Sequence, residues 1–362
     1  MRIEKITLYR FSLPLIRPYR LALGTIEAFD TIVAVAEDGN GGLGFGEATI
    51  LTGYTAETIG ECWPVAQDLA RRIAGMETMD AKDMIQVAHS PWPFTATALM
   101  TSVEMLEGHP LLGLAEPRTV PLLANIFSTE DDAIAEEVEA RLDEGYGTLK
   151  VKIGFDVDAD LRRVGFIQDR VSGRARIRLD GNQGYDTGGA VRFATALKPD
   201  GIELLEQPCQ AGDWEAAAAV ARASNVPMML DESIFGPADI ERAAELDAAR
   251  YIKLKLMKAG GLDSLVQGLK LIRDLGMTPV LGNGVASDVG CWMEACVARD
   301  HIDNAGEMNG FLKPRDGIFA EPLAMENGAL VLDTAAPKLK GPDALAALAA
   351  ETVRFPAASG EA

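Results

Sequence analysis

From about residue 119 the chain is built of short apolar runs, each followed by an amphipathic stretch, and the pair recurs roughly every 25 residues. The runs read VPLLANI, TLKVKI, ARIRLD, GIELLE, VPMMLD, RYIKLK and TPVLGN, with a less distinct eighth at 302–307. Ser128 ahead of Glu130 and Asp131 marks a helix start by a side-chain cap and early acids. Repetition of strand then helix predicts an α/β fold of parallel strands joined by crossover helices. Eight such strands close into a TIM-type barrel, for which roughly 200 residues is short but sufficient. An open doubly wound sheet would carry a glycine-rich phosphate turn after its first strand, and the sequence has none there.

The first 115 residues follow another pattern. Residues 1–15 and 31–36 alternate as strands, 39–44 is a glycine-rich turn, and 55–76 and 80–106 carry helical periodicity. A strand-like piece at 329–332 is expected to fold back onto this α+β unit. The predicted organisation is therefore an α+β domain at 1–115, a barrel at 116–325 and a returning segment at 326–362.

With 362 residues, 48% of them hydrophobic, the chain can bury a large core. Its 34 Lys+Arg against 54 Asp+Glu give a net charge of -20, which argues against nucleic acid or a membrane as partner. The opening MRIEKITLYRFSLPL interleaves charges as a strand does and a signal peptide does not. Cys62, Cys209, Cys291 and Cys296 have neither zinc-site spacing nor the density of a disulfide scaffold, which predicts a reducing, cytoplasmic setting.

Barrel enzymes assemble their sites at the C-terminal ends of the strands. Here strand two carries Lys150 and Lys152, strand three ends at Asp180, strand four at Glu206, strand five at Asp231 and Glu232, and strand six carries Lys253 and Lys255. Each acid alone has a bland reading as a helix cap or lysine partner, but three on successive strands would repel one another unless a cation held them. Oxygen-only ligands select a hard ion such as Mg²⁺. Strands two and six of an eight-stranded ring are diametrically opposed, so their lysines reach opposite faces of a bound molecule. A lysine with an ordinary pKa of about 10.4 is no base at neutral pH. Burial, Lys150 and the metal are expected to lower that of Lys152.

In order and spacing the set resembles the enolase superfamily, and more closely its muconate lactonizing enzyme subgroup. LKVKIG looks like that family's K-x-K strand, RLDGNQGY, LLEQP and LDES its three metal-ligand strands, and IKLKLMKAGG its sixth-strand lysine. The resemblance implies a modified (β/α)7β barrel capped by the N-terminal domain and the C-terminal tail, a small carboxylate substrate and a homo-oligomer. It further implies that Asp180, Glu206 and Asp231 bind Mg²⁺, for which Mn²⁺ substitutes. Lys152 would be an acid–base catalyst, with Lys150 in the catalytic set, and Asn182 and Glu232 would orient the ligands and lysines. The family's catalytic sixth-strand lysine stands five residues before the first glycine of the GG pair, which selects Lys255, although alternation keeps Lys253 on the same side.

None of His89, His109 and His301 ends strand seven, which argues against the histidine-based dehydratases of the mandelate racemase branch. Two departures put a dipeptide substrate in doubt. Ala286 precedes Ser287 where the subgroup often has an acid, and NAGEMNG lacks the dipeptide epimerases' acidic eighth-strand motif. Two opposed lysines suit a racemase or epimerase of an amino-acid or imino-acid derivative, with Asp288 and Glu307 expected to pair with a substrate ammonium and Tyr54 and Arg20 to contact the substrate. The alternatives are a β-elimination lyase of the cis-3-hydroxyproline dehydratase type, which LGNGVASDVGCWMEA and GEMNGFL resemble, or a cycloisomerase. A non-catalytic binding protein would leave the whole set idle.

Overall fold

The computed structural model describes residues 1–21 and 24–358. The N-terminal unit opens with strands β1 (Lys5–Leu21), β2 (Gly24–Glu37) and β3 (Leu43–Thr49), followed by helices α1 (Ile59–Ile73), α2 (Thr78–His89) and α3 (Pro93–Leu106). Along β1 the residues Phe11, Leu13 and Leu15 are buried while Ser12 and Pro14 are exposed, the period-2 pattern of a sheet with one covered face. The β1–β2 register shifts between Pro14 and Tyr19, and such an irregularity bends the strand. Two expectations are corrected here. The helix predicted over 80–106 is two, because Pro93 at the first turn of α3 can start a helix but cannot continue one. The glycine-rich turn continues into β3, where Gly44 and Gly46 sit against α3: a Cβ on Gly46 would lie 2.1 Å from Thr101 Oγ1 and 2.4 Å from the Ala98 carbonyl.

The barrel region runs β4 (Arg118–Pro121), β5 (Ala124–Ile126), α4 (Asp131–Asp143), β6 (Thr148–Lys152), α5 (Val157–Val171), β7 (Arg176–Asp180), α6 (Thr187–Ala196), β8 (Ile202–Glu206), α7 (Trp214–Ala223), β9 (Met228–Leu230), α8 (Pro237–Glu245), β10 (Tyr251–Leu254), α9 (Leu256–Ala259), α10 (Leu262–Asp274), β11 (Thr278–Leu281) and α11 (Asp288–His301). Strands β5 to β11 form one parallel curled sheet in sequence order. Ser128 does not cap α4; Glu130 stands at that position, and the Ser128 N–H donates to Glu137 Oε2 at 2.8 Å. The eighth run is reduced to two residues. Gly306 N donates to Pro121 O and Leu123 N to Gly306 O, both at 2.9 Å, while Glu307 N donates to Leu281 O at 3.0 Å. These bonds close the ring between β11 and the β4–β5 segment. The approach requires Gly282, whose φ is +139° and where a Cβ would stand 2.4 Å from Glu307 N.

The tail carries β12 (Met325–Glu326), β13 (Ala329–Leu332), α12 (Pro342–Leu348) and β14 (Glu351–Pro356). Residues 329–332 do not return to the N-terminal sheet as expected, because β13 pairs antiparallel with β4 on the way into the barrel. It is β14 that extends the N-terminal sheet, beside β1. Three side chains of the N-terminal unit bind backbone of the barrel helices. Glu104 accepts from Leu262 N at 2.8 Å, Glu47 from Ser287 N at 3.1 Å, and Thr97 Oγ1 donates to Met257 O at 3.1 Å. Two of these satisfy otherwise unpaired N–H groups at the starts of α10 and α11, which fixes the cap above the strand ends. No helix among the described residues is long and apolar enough to cross a membrane.

The contact of β3 with α3 makes Gly46→Ala an overpacking change with backbone on one side. It should cost about 2 kcal/mol or more of unfolding free energy in urea denaturation.

Candidate active site

Alternation along the strands stacks the barrel interior in layers. Leu204, Met229 and Val280, with Tyr251 against them, form a small apolar layer separate from the main core. Two residues further along come Glu206, Asp231 and Lys253, joined by Lys150 from β6 and Asp180 from β7, all buried. Register aligns these ends: Lys152 pairs with Asp180, and Asp180 with Glu206.

The layer is a network of ion pairs. Lys150 Nζ stands 2.8 Å from Asp180 Oδ2, Glu206 Oε2 and Glu307 Oε2 alike. Lys253 Nζ lies 3.0 Å from Glu206 Oε1 and 3.4 Å from Asp231 Oδ2, and donates to Glu307 Oε2. Above this layer Lys152 Nζ donates to Asp180 Oδ2 at 2.6 Å and to Asn182 Oδ1, whose Nδ2 donates to Glu232 Oε1 at 2.9 Å. Lys255 follows β10 and donates to Asp231 Oδ2 at 2.8 Å and to the Tyr54 hydroxyl at 2.7 Å, its ammonium 4.0 Å from the centre of the Tyr54 ring. The Tyr54 hydroxyl in turn donates to Asp231 Oδ1. Lys258 holds the carbonyls of Asp231 and Ile234, at 3.1 and 2.6 Å.

The charges act on one another strongly. Burial works against ionisation of Asp180, but Lys150, Lys152 and Lys253 bring its pKa down to about 2. Burial also works to lower Lys150, yet the charges of Asp180, Glu206 and Glu307 hold it well above the ordinary lysine value. Lys152 is likewise raised, which corrects the expectation that Lys150 and burial would depress it: burial is the largest single influence, but Asp180, Tyr19 and Glu307 together outweigh it and Lys150. Glu232, whose hydrogen-bond partner among the described residues is Asn182, is pushed up to about 7 by burial and by the neighbouring charges of Asp231 and Asp180.

These groups line one cavity of about 530 Å³, counting its open mouth, with Lys152 and Lys255 on strands four places apart and Tyr19, Leu51 and Tyr54 of the cap above. The sequence profile of the enolase C-terminal domain-like family matches residues 133–337, more than half of the chain. The chain belongs to the enolase superfamily. It is 31% identical over 276 residues to the L-Lys-D/L-Arg epimerase of Methylococcus capsulatus, an alignment covering 72% of this chain and 77% of that one. It is 28% identical over 298 residues to the L-Ala-D/L-Glu epimerase of Clostridium acetobutylicum, covering 78% and 82%. The fold superposes on a dipeptide epimerase from Cytophaga hutchinsonii, complexed with Mg and D-Ala-L-Val, with a TM-score of 0.86 at 19% identity, covering 98% and 100% of the two chains.

Within this enolase-superfamily enzyme the structure brings Lys150, Lys152, Asp180, Asn182, Asp231, Glu232, Lys255, Glu307 and Tyr54 to the cavity, with Glu206 in the layer beneath. Asp288 is not among them. Its carboxylate is buried and accepts from Ile318 N and Phe319 N, both at 2.8 Å, so it anchors the chain after the eighth segment and is not placed to meet a substrate ammonium. Glu307 reaches the cavity but is gripped by Lys150 and Lys253. Arg20 lies in β1, its side chain outside the described residues. Its neighbour Tyr19 was missed by sequence reasoning, although it stands in the same capping segment and lines the cavity.

Behind Lys255 the α11 residue Glu294 accepts from Leu256 N at 2.6 Å, and burial pushes its carboxyl up to about 8. A raised carboxyl favours the protonated folded state, so its stabilising share is present below the ordinary carboxylate range and lost as pH rises to about 8. Glu294→Gln should therefore flatten the dependence of stability on pH. The loss between pH 5 and 8, read by urea denaturation, should shrink by roughly 2 kcal/mol or more.

Proposed function

We propose that this enolase-superfamily enzyme removes the proton α to a substrate carboxylate with Lys152 and Lys255 acting from opposite faces, and that it is a racemase or epimerase of a small amino-acid or imino-acid derivative. The observation that carries this reading is a pair of lysines across one cavity with Asp180, Glu206 and Asp231 on the arc between them. The epimerases among its relatives support the same reaction class. In this reading residues 1–115, extended by β14, act as the cap, and residues 116–325 carry the chemistry.

The donor set fits a hard divalent cation. Three adjacent strand ends offer only oxygen, and Glu206 Oε2, though 2.8 Å from Lys150 Nζ, receives no well-directed hydrogen bond among the described residues. Asp180, Glu206 and Asp231 would hold Mg²⁺, as the Mg in the related dipeptide epimerase complex supports. Bound there, the ion supplies positive charge at the substrate carboxylate and offsets the charge of Asp180 that keeps Lys152 protonated.

The protein's own groups set the rest. Lys152 is aimed by Asp180 and by the Asn182–Glu232 pair, and Lys255 by Asp231 and Tyr54. One lysine takes the α-proton, leaving an enediolate, and the other delivers a proton to the opposite face. Because Asp288 and Glu307 are engaged inside the protein, neither is free to pair with a substrate ammonium. A second reading, β-elimination of water, is favoured by the Tyr54 hydroxyl 2.7 Å from Lys255, which gives that face two proton donors for a leaving hydroxide.

Lys152→Ala and Lys255→Ala should each lower α-proton exchange of one enantiomer in D₂O by about 10³-fold, measured by mass spectrometry across amino-acid and hydroxyproline libraries. Retention of exchange in either variant would refute the two-base assignment. EDTA should abolish exchange and Mg²⁺ restore it. Product mass separates the two readings, because racemisation leaves it unchanged and elimination lowers it by one water.

A further inference from the structure

Lys253 has no part in the proton transfers above, yet it is among the largest wholly buried side chains. It is the second ammonium of the interior layer. Lys150 approaches from β6 and Lys253 from β10, and both grip Glu307 on the eighth segment. Each oxygen of Glu206 thus faces its own lysine, Oε2 toward Lys150 at 2.8 Å and Oε1 toward Lys253 at 3.0 Å. Lys253 also touches Asp231 Oδ2 at 3.4 Å. With these ammoniums among them, the oxygens of Asp180, Glu206 and Asp231 do not gather as a threesome within 4.8 Å of one another.

Charge sharpens the point. Lys152 also pairs with Asp180 and Lys255 with Asp231, while Lys258 donates to two carbonyls and stands 3.7 Å from Asp231 Oδ1. Asp180, Glu206, Asp231 and Glu307 are thus already met by ammoniums, and a divalent cation would enter in competition with them. Lys253 and Glu307 carry opposite charges, yet they are not equivalent in position. Lys253 lies against two of the three carboxylates, while the ion-pair partners of Glu307 among the described residues are Lys150 and Lys253. A cation drawn to Glu206 and Asp231 therefore meets a fixed positive charge already on them, and in a buried setting such repulsion is little screened.

We propose that Lys253 is a positioning residue that shares Glu206 and Asp231 with the bound divalent cation and holds its affinity down, with Glu307 as the anion that allows this lysine to be buried. The proposal rests on the metal reading given under Proposed function. Its test is isothermal titration of the full-length protein with MgCl₂ after EDTA treatment and dialysis, with Mn²⁺ binding followed by electron paramagnetic resonance as a second readout. Lys253→Met should bind Mg²⁺ at least tenfold more tightly, Glu307→Gln at least tenfold more weakly, and the double variant within about threefold of wild type. A merely structural lysine would give the opposite sign, because loosening the layer weakens binding. Should Lys253→Met fail to fold, Lys253→Gln, which keeps a donor toward Glu307, carries the same expectation. Affinity of the lysine variant unchanged or weaker, with wild type binding normally, overturns the role of Lys253 alone. Absence of Mg²⁺ binding by the wild type overturns the metal reading itself and this proposal with it.

Discussion

The structure depends on a layer of buried charge that no member could occupy alone. A carboxylate or an ammonium taken out of water by itself would give up its charge, since burial penalises the ionised form. Here each is met by several of the opposite sign. Asp180 is held down to about 2 by three lysines, and Lys150 is held well above its ordinary value by three acids. The parallel register supplies this match, because it halts the chain at the same height on neighbouring strands: Lys152 beside Asp180, Asp180 beside Glu206. The apolar layer of Leu204, Met229 and Val280 underneath excludes water from the barrel and keeps those interactions strong.

The cap extends the same logic to the mouth. Its footing is polar, through Glu47, Glu104 and Thr97, which bind backbone groups of the barrel helices. Its working face is aromatic, with Tyr19 and Tyr54 above the lysines. Tyr54 joins the two functions, packing its ring against the Lys255 ammonium while its hydroxyl meets both that ammonium and Asp231. The cap therefore contributes a polar contact to the site as well as covering it.

Much of this was legible in the sequence, for a physical reason. Seven strands announce themselves because a parallel strand covered on both faces must be an apolar run, and the charges that interrupt its end stand out against it. The eighth was indistinct because two residues held between β11 and the β4–β5 segment carry no periodicity. Lys253 and Lys255 were hard to separate because alternation places both inside, and only height distinguishes them, one within the buried layer and one beside Tyr54. Asp288 resembled a site acid because it follows the seventh strand, but it opens α11, beyond the connection at 282–287, and its carboxylate turns to the backbone of Ile318 and Phe319. The pairing of residues 329–332 with β4 depends on a contact between segments some 200 residues apart, which local pattern does not encode.

The reduced eighth strand has a mechanical meaning. A barrel owes its stiffness to being a continuous hoop, and here the hoop is joined by three backbone bonds across a glycine contact, where the β6–β7 seam has a five-residue ladder. Glu307 sits at that joint with Lys150 and Lys253 pulling on it from two facing walls. The ion cluster thus acts as a clasp. Whatever alters the balance of charge inside the barrel also changes the tension at its seam, so in this chain the composition of the site and the integrity of the scaffold are inherited together.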